Sequence, residues 1–533
     1  MSVDDTGYDA VVVGAGFAGL YMLYRLRQAG FRTRVFEAGS GVGGTWYWNR
    51  YPGARCDVES MEYSYSFCDE LQQEWEWTER YAGQPEILRY VNHVADRFDL
   101  RRDITFDTRV VRATFDEDAS RWQVETDTGL VVDAAFVIMA TGCLSSANLP
   151  EFDGRDDFQG ETYHTGRWPH EGVDFAGKRV GIIGTGSSAI QAIPIIAAEA
   201  GHLTVFQRTP NYSIPARNAP IDPDYVREIK AEYSAFRARN YRMQAGFGSK
   251  IPHNDAPASS DDPASRESNY AVRWERGGFG YLSAYNDLLR DRDANETAAE
   301  FVRQRIRGIV DDPDIAERLC PDNVIGCKRP CLDTGYFETY NRANVELVDA
   351  RDAPIERITP NGVVAGGREY VLDCIVFATG FDAMTGAVLG VDFRGRDGMT
   401  LADKWHAGPR TYLGLGTVGF PNLFLITGPG SPSVLTNMIV SIEQHAEWIS
   451  DCLEYLRAEG LDSIEATPEA EDAWVEHVNL VAGLTLYPTC NSWYLGKNIP
   501  GKPQVFMPLV GFPPYAEKCA TAAANGYEGF DLA

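Results

Sequence analysis

The chain has 533 residues, 44% of them apolar, and a formal charge of −27. That length and apolar share suffice for two or three domains with cores of their own. So acidic a surface repels nucleic acid and anionic lipid, which argues against a DNA, RNA or membrane-surface role and leaves small uncharged substrates. No stretch reaches 18 apolar residues, so no bilayer-spanning helix is expected. The opening Met1-Ser2-Val3-Asp4-Asp5 is acidic and predicts no signal peptide. Ten cysteines are scattered without a CxxC or CxxH, and reduced, buried thiols in a cytoplasmic protein are the expectation.

Residues 8–13 form a short apolar run that ends at Gly14-Ala15-Gly16-Phe17-Ala18-Gly19. Residues 20–28 read as a helix, and 32–36 as a second strand ending at Glu37. This is the strand, glycine turn, helix, strand, acid order of a dinucleotide site. Gly14 permits the turn, Gly16 lets backbone approach a pyrophosphate, and Gly19 lets helix and strand pack closely. The phosphate would meet the free N–H groups at the helix start, from Phe17 onward. Glu37 would accept the ribose hydroxyls. The early position and the further glycines Gly39, Gly41, Gly43 and Gly44 favour FAD over NAD. The aromatic run from Thr45 and Trp46 to Tyr51 suits the wall of a cofactor or substrate cavity. Thr45, Trp46 and Tyr63 are candidate cofactor contacts. The segments 136–142 and 375–380 both end in Ala-Thr-Gly after an apolar strand. Each fits the end of a nucleotide-binding unit, where the chain crosses between domains.

Between these ends lies Phe158-x-Gly160-x-x-x-His164-x-x-x-Trp168-Pro169, the pattern FxGxxxHxxxWP. His164 sits on a crossing between domains, where a structural role is at least as well motivated as an acid–base one. Trp168 and Pro169 read as an apolar peg and a fixed bend. A second fingerprint follows, Gly184-Thr185-Gly186-Ser187-Ser188-Ala189, after a strand at 178–183. The next strand, 203–206, ends in Gln207-Arg208-Thr209 instead of an acid. An acid there would repel a 2′-phosphate, whereas the fork of Arg208 and the hydroxyl of Thr209 would bind it. NADPH is therefore expected over NADH.

Residues 222–241 and 295–309 read as helices, and 253–268, rich in proline and aspartate, as a surface loop. The stretch Gly277-Gly278-Phe279-Gly280-Tyr281 fits either the edge of a substrate cavity or ordinary packing. A helix is expected over 439–453.

Two nucleotide fingerprints in this order around FxGxxxHxxxWP make the chain resemble the single-chain, flavin-dependent Baeyer–Villiger monooxygenases. The resemblance spans essentially residues 8 to 530. It is nearest the phenylacetone and steroid monooxygenase branch, with cyclohexanone monooxygenase more distant. It implies FAD, NADPH with NADP⁺ retained during oxygenation, and O₂ as cosubstrate. In such enzymes the reduced flavin forms a C4a-peroxide, which attacks a ketone carbonyl to give an ester or lactone. The resemblance places the catalytic arginine at Arg329, with Asp57 beside it and Lys328 near the NADPH phosphate. A permanent cation suits both a deprotonated peroxide and the oxyanion that its attack creates. Glu59 stays open as the rival partner of Arg329, since an extended segment would point it the same way as Asp57. A local salt bridge between Arg55 and Asp57 is the plainer alternative. Trp493 is expected in a loop that closes over NADP⁺. Ser433, Val434, Leu435 and Thr436 are expected in a substrate-pocket bulge, where small changes alter substrate choice rather than catalysis.

The expected fold class is α/β, with two Rossmann-like dinucleotide-binding domains and a helical insertion. FAD would take 1–142 and 381–533, and NADPH 143–220 and 329–380, around a helical subdomain at 221–328. No metal, nucleic acid, membrane or obligate protein partner is expected, a monomer being the default. A flavin monooxygenase acting on sulfur or nitrogen is the nearest rival. A pyridine nucleotide–disulfide reductase would need a redox cysteine pair beside 39–53, and none is there. A scaffold role leaves both nucleotide sites unexplained.

Overall fold

The computed structural model describes residues 7–505, 507 and 511–533. Two sheets organise it, a larger one that also contains antiparallel pairs and a smaller parallel one, and in each a strand runs into one glycine fingerprint. In the larger sheet, of eight strands, Gly7–Val13 runs parallel between Thr33–Phe36 and Val131–Met139. Late segments complete that sheet. Leu423–Leu425 pairs with Val131–Met139, and Asp392–Arg394 with Val110–Asp116. The helix Phe17–Gln28 packs against the long helix Met438–Glu459, which ends where Gly460 turns left-handed (φ 70°). The strand interior Ala10, Val11 and Val12 is fully buried, as expected of a parallel strand covered on both faces.

The smaller sheet runs Val345–Asp349, His202–Gln207, Arg179–Ile183, Cys374–Phe377, Glu161–His164, with every neighbour parallel. The strand of the linker motif is thus an edge strand of this sheet. Both Ala-Thr-Gly segments follow strands that pair beside the fingerprint strands.

The insertion departs from expectation twice. The helix predicted over 222–241 is two helices, Pro223–Ala231 and Tyr233–Tyr241, because Glu232 leaves helical geometry (φ −132°, ψ 29°). The predicted loop over 253–268 contains the start of a helix, Pro263–Arg276. Asp262 accepts the N–H groups of Ala264 and Ser265, and Pro263 occupies the first turn. The aspartate and proline that read as breakers are start signals here.

Cys327 and Cys490 are joined as a disulfide, and the other eight cysteines are free. The expectation of ten reduced thiols fails at this pair, because cysteines 163 residues apart carry no spacing signal. Among the described residues no helix is long and apolar enough to cross a membrane.

Candidate active site

Around the first fingerprint, glycine positions leave no room for a Cβ. A Cβ on Gly19 would stand 1.8 Å from the Gly14 carbonyl oxygen, and one on Gly44 2.9 Å from the Gly16 Cα. Gly14 itself has φ 103°. The helix after Gly16 has no side-chain cap, so its first N–H groups are left for a ligand. The Glu37 carboxylate accepts the N–H groups of Ala15 and Gly39, both at 2.7 Å, which ties it to the glycine turn. Burial pushes its pKa up, and those two N–H groups oppose the shift. The Phe17 ring packs into an aromatic cluster with Tyr63 and Tyr65, so its part in a pyrophosphate site falls to its N–H. Trp46 is buried and donates its indole N–H to the Tyr63 hydroxyl at 3.2 Å. Thr45 opens the short turn Thr45–Trp48 and is exposed.

The second fingerprint repeats the design. Gly184 has φ 113°, and a Cβ there would meet the Ala378 carbonyl oxygen at 2.5 Å. A Cβ on Gly186 would meet nothing within 4 Å, so the space before the helix Ser187–Glu199 has room for a phosphate. The Thr185 hydroxyl donates to the Thr209 carbonyl at 2.9 Å and ties the turn to the end of the next strand. The Ser187 hydroxyl sits 3.2 Å from the Cys331 sulfur, and Ser188 lies against the Tyr51 hydroxyl. Arg208 is exposed. Lys328 is close enough to feel it: burial first, then the Arg208 charge, pull the lysine pKa down. Lys328, from a distant segment, thus lies within electrostatic reach of Arg208.

Arg329 is gripped from three sides. Its Nε and Nη2 donate to the two Asp57 oxygens at 2.6 and 2.9 Å, a fork-to-fork pair. Nη1 donates to the Val434 carbonyl at 2.9 Å. The face of Phe279 lies 4.5 Å from the guanidinium carbon. Burial works against the cation, but the Asp57 carboxylate more than offsets it and raises the arginine pKa. Glu59 is not a partner. The chain bends at Asp57 and Val58, and Glu59 instead receives Nε and Nη2 of Arg80 at 2.9 and 2.7 Å. The local alternative fails too, since Arg55 pairs with Glu79 at 2.7 Å. The Gly277–Tyr281 stretch, open between two roles in the sequence, reaches the arginine through Phe279.

An apolar wall covers this cation. Cys143, Met384, Val434, Tyr494 and Met507 form one buried cluster, joined by Leu435, Met438, Tyr487 and Trp493. Trp493 is half-buried and lies against Tyr494, with ring centroids 4.4 Å apart. Tyr494 and Tyr487 are the residues of this segment that sense the Arg329 charge. Sequence reasoning missed both, because neither stands in a motif. Ser433 and Thr436 turn inward: each is buried, and the Thr436 hydroxyl donates to the Ser433 carbonyl at 2.9 Å. A cavity of about 300 Å³ beside Trp274 and Asp333, and one of about 250 Å³ beside Trp405 and Lys502, are both lined without Arg329.

The linker motif joins the two sheet systems. His164 Nδ1 accepts the Gly166 N–H at 2.9 Å, which leaves Nε2–H to donate to the Asn148 carbonyl at 3.2 Å. Thr379, in the second Ala-Thr-Gly, donates to the same carbonyl. Burial lowers the histidine pKa and keeps the ring neutral. A Cβ on Gly160 would strike the Asp373 carbonyl oxygen at 2.5 Å, with the Phe158 ring equally close. Trp168 is buried against Phe175, and its N–H approaches the Trp48 carbonyl before Pro169 turns the chain.

A family model described as pyridine nucleotide-disulphide oxidoreductase matches residues 11–254. A curated "Baeyer-Villiger monooxygenase" of Pseudooceanicola batsensis is 44% identical over 98% of this chain and 95% of its own. A solved structure, "Oxidized steroid monooxygenase bound to NADP", is 54% identical with a TM-score of 0.94, covering 99% of each chain.

The chain belongs to the flavin-dependent Baeyer–Villiger monooxygenases.

This monooxygenase uses FAD and NADPH, with O₂ as cosubstrate, in Baeyer–Villiger oxidation of small molecules. The residues present fit both nucleotides. The glycine turns leave backbone bare where a Cβ would collide or intrude, and two cations converge near the second turn. The Cys327–Cys490 pair lies outside the segment matched by the oxidoreductase model, and the cysteines within that segment are free. The chain is also similar to a "Phenazine N-monooxygenase PhzNO1" of Lysobacter antibioticus, 42% identical over 99% of this chain and 98% of its own.

Proposed function

We propose that Arg329, fixed by Asp57, supports oxygen transfer to a small uncharged ketone, giving an ester or lactone. The carrying observation is the three-sided grip on Arg329 beneath an apolar wall. Bound FAD, reduced by NADPH, supplies the activated oxygen. Attack on a ketone carbonyl puts negative charge on its oxygen, and a fixed cation stabilises that charge most where water is kept away. Asp57 and Val434 hold three of the guanidinium N–H bonds, and the remaining N–H groups stay free to meet the substrate oxygen. Tyr487, Tyr494, Leu435 and Met438 exclude water and shape the substrate space.

In this reading the larger sheet system, residues 1–142 and 381–533, holds FAD on Gly14, Gly16, Gly19, Glu37, Gly44, Thr45, Trp46 and Tyr63. The smaller, 143–220 and 329–380, holds NADPH on Gly184 to Ser188, with Arg208, Thr209 and Lys328 at the 2′-phosphate. The helical insertion 221–328 supplies Phe279, and the segment around Trp493 closes over the nicotinamide half.

The test is NADPH-driven oxidation of a ketone panel under air, with thioanisole and a tertiary amine beside it and NADH as alternative donor. Products are identified by mass while NADPH consumption and released hydrogen peroxide are counted. Esters or lactones with one added oxygen, nearly one per NADPH, are the expected result. Oxidation of sulfur or nitrogen alone, with every ketone recovered, would overturn the role given to Arg329 and favour the chemistry named for the phenazine relative.

A further inference from the structure

We propose that Cys327 and Cys490 are a redox latch that fastens the closing segment over the bound nicotinamide cofactor. The proposal rests on the reading that the segment around Trp493 closes over NADP⁺. Cys327 stands in the turn Gly326-Cys327-Lys328-Arg329, directly before the two cations. Cys490 stands directly before the turn that carries Trp493 and Tyr494. Their Cα atoms are 6.1 Å apart across 163 residues of chain. Both are buried, in a small apolar cluster of their own with Val324 and Leu486. The bond therefore joins the segment that holds cofactor phosphate and substrate oxygen to the segment that covers them.

The other ties of this segment are few and breakable. Leu486 N–H donates to the Leu289 carbonyl at 2.9 Å, the Asn498 amide donates to the Phe381 carbonyl at 2.8 Å, and Arg292 donates to the Thr489 hydroxyl at 3.5 Å. Lys502 reaches Asp382 and the Ala383 carbonyl. Without the covalent bond, the whole stretch from Leu486 to Lys502 can lift by giving up these bonds and its apolar contacts. With it, the Cys490 end stays beside Arg329, and Trp493 and Tyr494, three and four residues on, are held close to that anchor.

The chemistry closes with hydrogen peroxide, the product of O₂ and NADPH when reduced flavin reacts without substrate. One thiolate attacks a peroxide oxygen, the O–O bond breaks, and water leaves a sulfenic acid. The second thiol attacks that sulfur and displaces a second water as the S–S bond forms. Two thiols lose two electrons and two protons, and one peroxide becomes two waters. A thiol reductant reverses the step. Enzyme that leaks peroxide would thus fasten its own lid, hold NADP⁺ and slow further waste of NADPH.

The experiment uses FAD-loaded enzyme carrying NADP⁺, treated with hydrogen peroxide or with dithiothreitol. Alkylation and peptide mass mapping report the bond, and rapid mixing reports the NADP⁺ release rate. The expected result is a Cys327–Cys490 peptide after peroxide and release slower by about tenfold, a factor equal to ~1.4 kcal/mol of added restraint. Cys327→Ser and Cys490→Ser should each release NADP⁺ at the reduced rate whatever the treatment. Alkylation of both thiols in peroxide-treated enzyme overturns the latch. So does a cross-link that leaves release unchanged. Trp493→Ala separates the two ideas: release unaltered by that change sinks the closing-loop reading itself.

Discussion

At the scale of single residues, Arg329 concentrates the chemistry, and its surroundings make distinct predictions. Arg329→Ala should lower ketone oxidation by about 10²–10³-fold, the range for losing one donor to a developing oxyanion. NADPH should still be consumed, with hydrogen peroxide as the product, and a peroxide assay beside product mass checks this. Asp57→Asn leaves a half-buried guanidinium without its countercharge. Ester formation should fall by at least about tenfold, equal to ~1.4 kcal/mol. Glu59→Gln, whose parent carboxylate serves Arg80, should leave ketone turnover close to wild type. Equal losses in the two variants would sink the assignment of Asp57. The bulge also touches catalysis. Its Val434 carbonyl holds Arg329, so a change that moves this backbone alters rate as well as substrate choice.

At the scale of elements, individual positions in the two glycine turns differ in the room around them. Gly19 has backbone 1.8 Å from a Cβ position, whereas Gly186 has nothing within 4 Å. Gly19→Ala should therefore yield protein without flavin, read as a collapsed ratio of flavin to protein absorbance. Gly186→Ala should fold and keep FAD, but its methyl fills space expected to receive phosphate. Its KM for NADPH should rise about tenfold, the effect of losing one charge-assisted hydrogen bond worth ~1.5–3 kcal/mol. Normal KM in Gly186→Ala, or normal flavin content in Gly19→Ala, would contradict this division.

At the scale of the whole molecule, the helical insertion is moored to the larger sheet system through buried charge. Arg237 donates to the Glu62 and Ser64 carbonyls, and the Glu62 carboxylate accepts the Gly248 N–H at 2.9 Å. Burial, helped by the nearby Glu59 charge, pushes the Glu62 pKa up from 4.5 to about 7. A carboxyl raised in the fold binds its proton more tightly there than in the unfolded chain. Its contribution is complete below pH 4.5 and is lost as pH rises through 7, on the order of 3 kcal/mol. Glu62→Gln keeps an acceptor for Gly248 and removes the titration. Its unfolding midpoint in denaturant should gain on wild type between pH 5 and pH 8, and parallel profiles would refute the argument. His164 ties the two crossings in the same spirit, as a neutral hydrogen-bonding link between the Asn148 and Gly166 backbones.

The sequence by itself determined what depends on a few consecutive residues. Two strand–glycine–helix turns, the acid at Glu37, the cation at Arg208 and the linker motif are local demands of backbone and charge, so they are legible in order. Late segments joining the first sheet were legible only because the family pattern was. Tertiary structure alone chose between Asp57 and Glu59, because a bend at 57–58 turns the second acid toward Arg80. The resemblance already named Asp57 and Arg329 as neighbours; packing joined them across 272 residues, and it alone set Phe279 beneath that cation and placed Tyr494 nearby. It also joined Cys327 to Cys490 and made a helix of Pro263–Arg276. Such pairings are fixed by how distant faces pack, and residue spacing carries no record of which faces will meet.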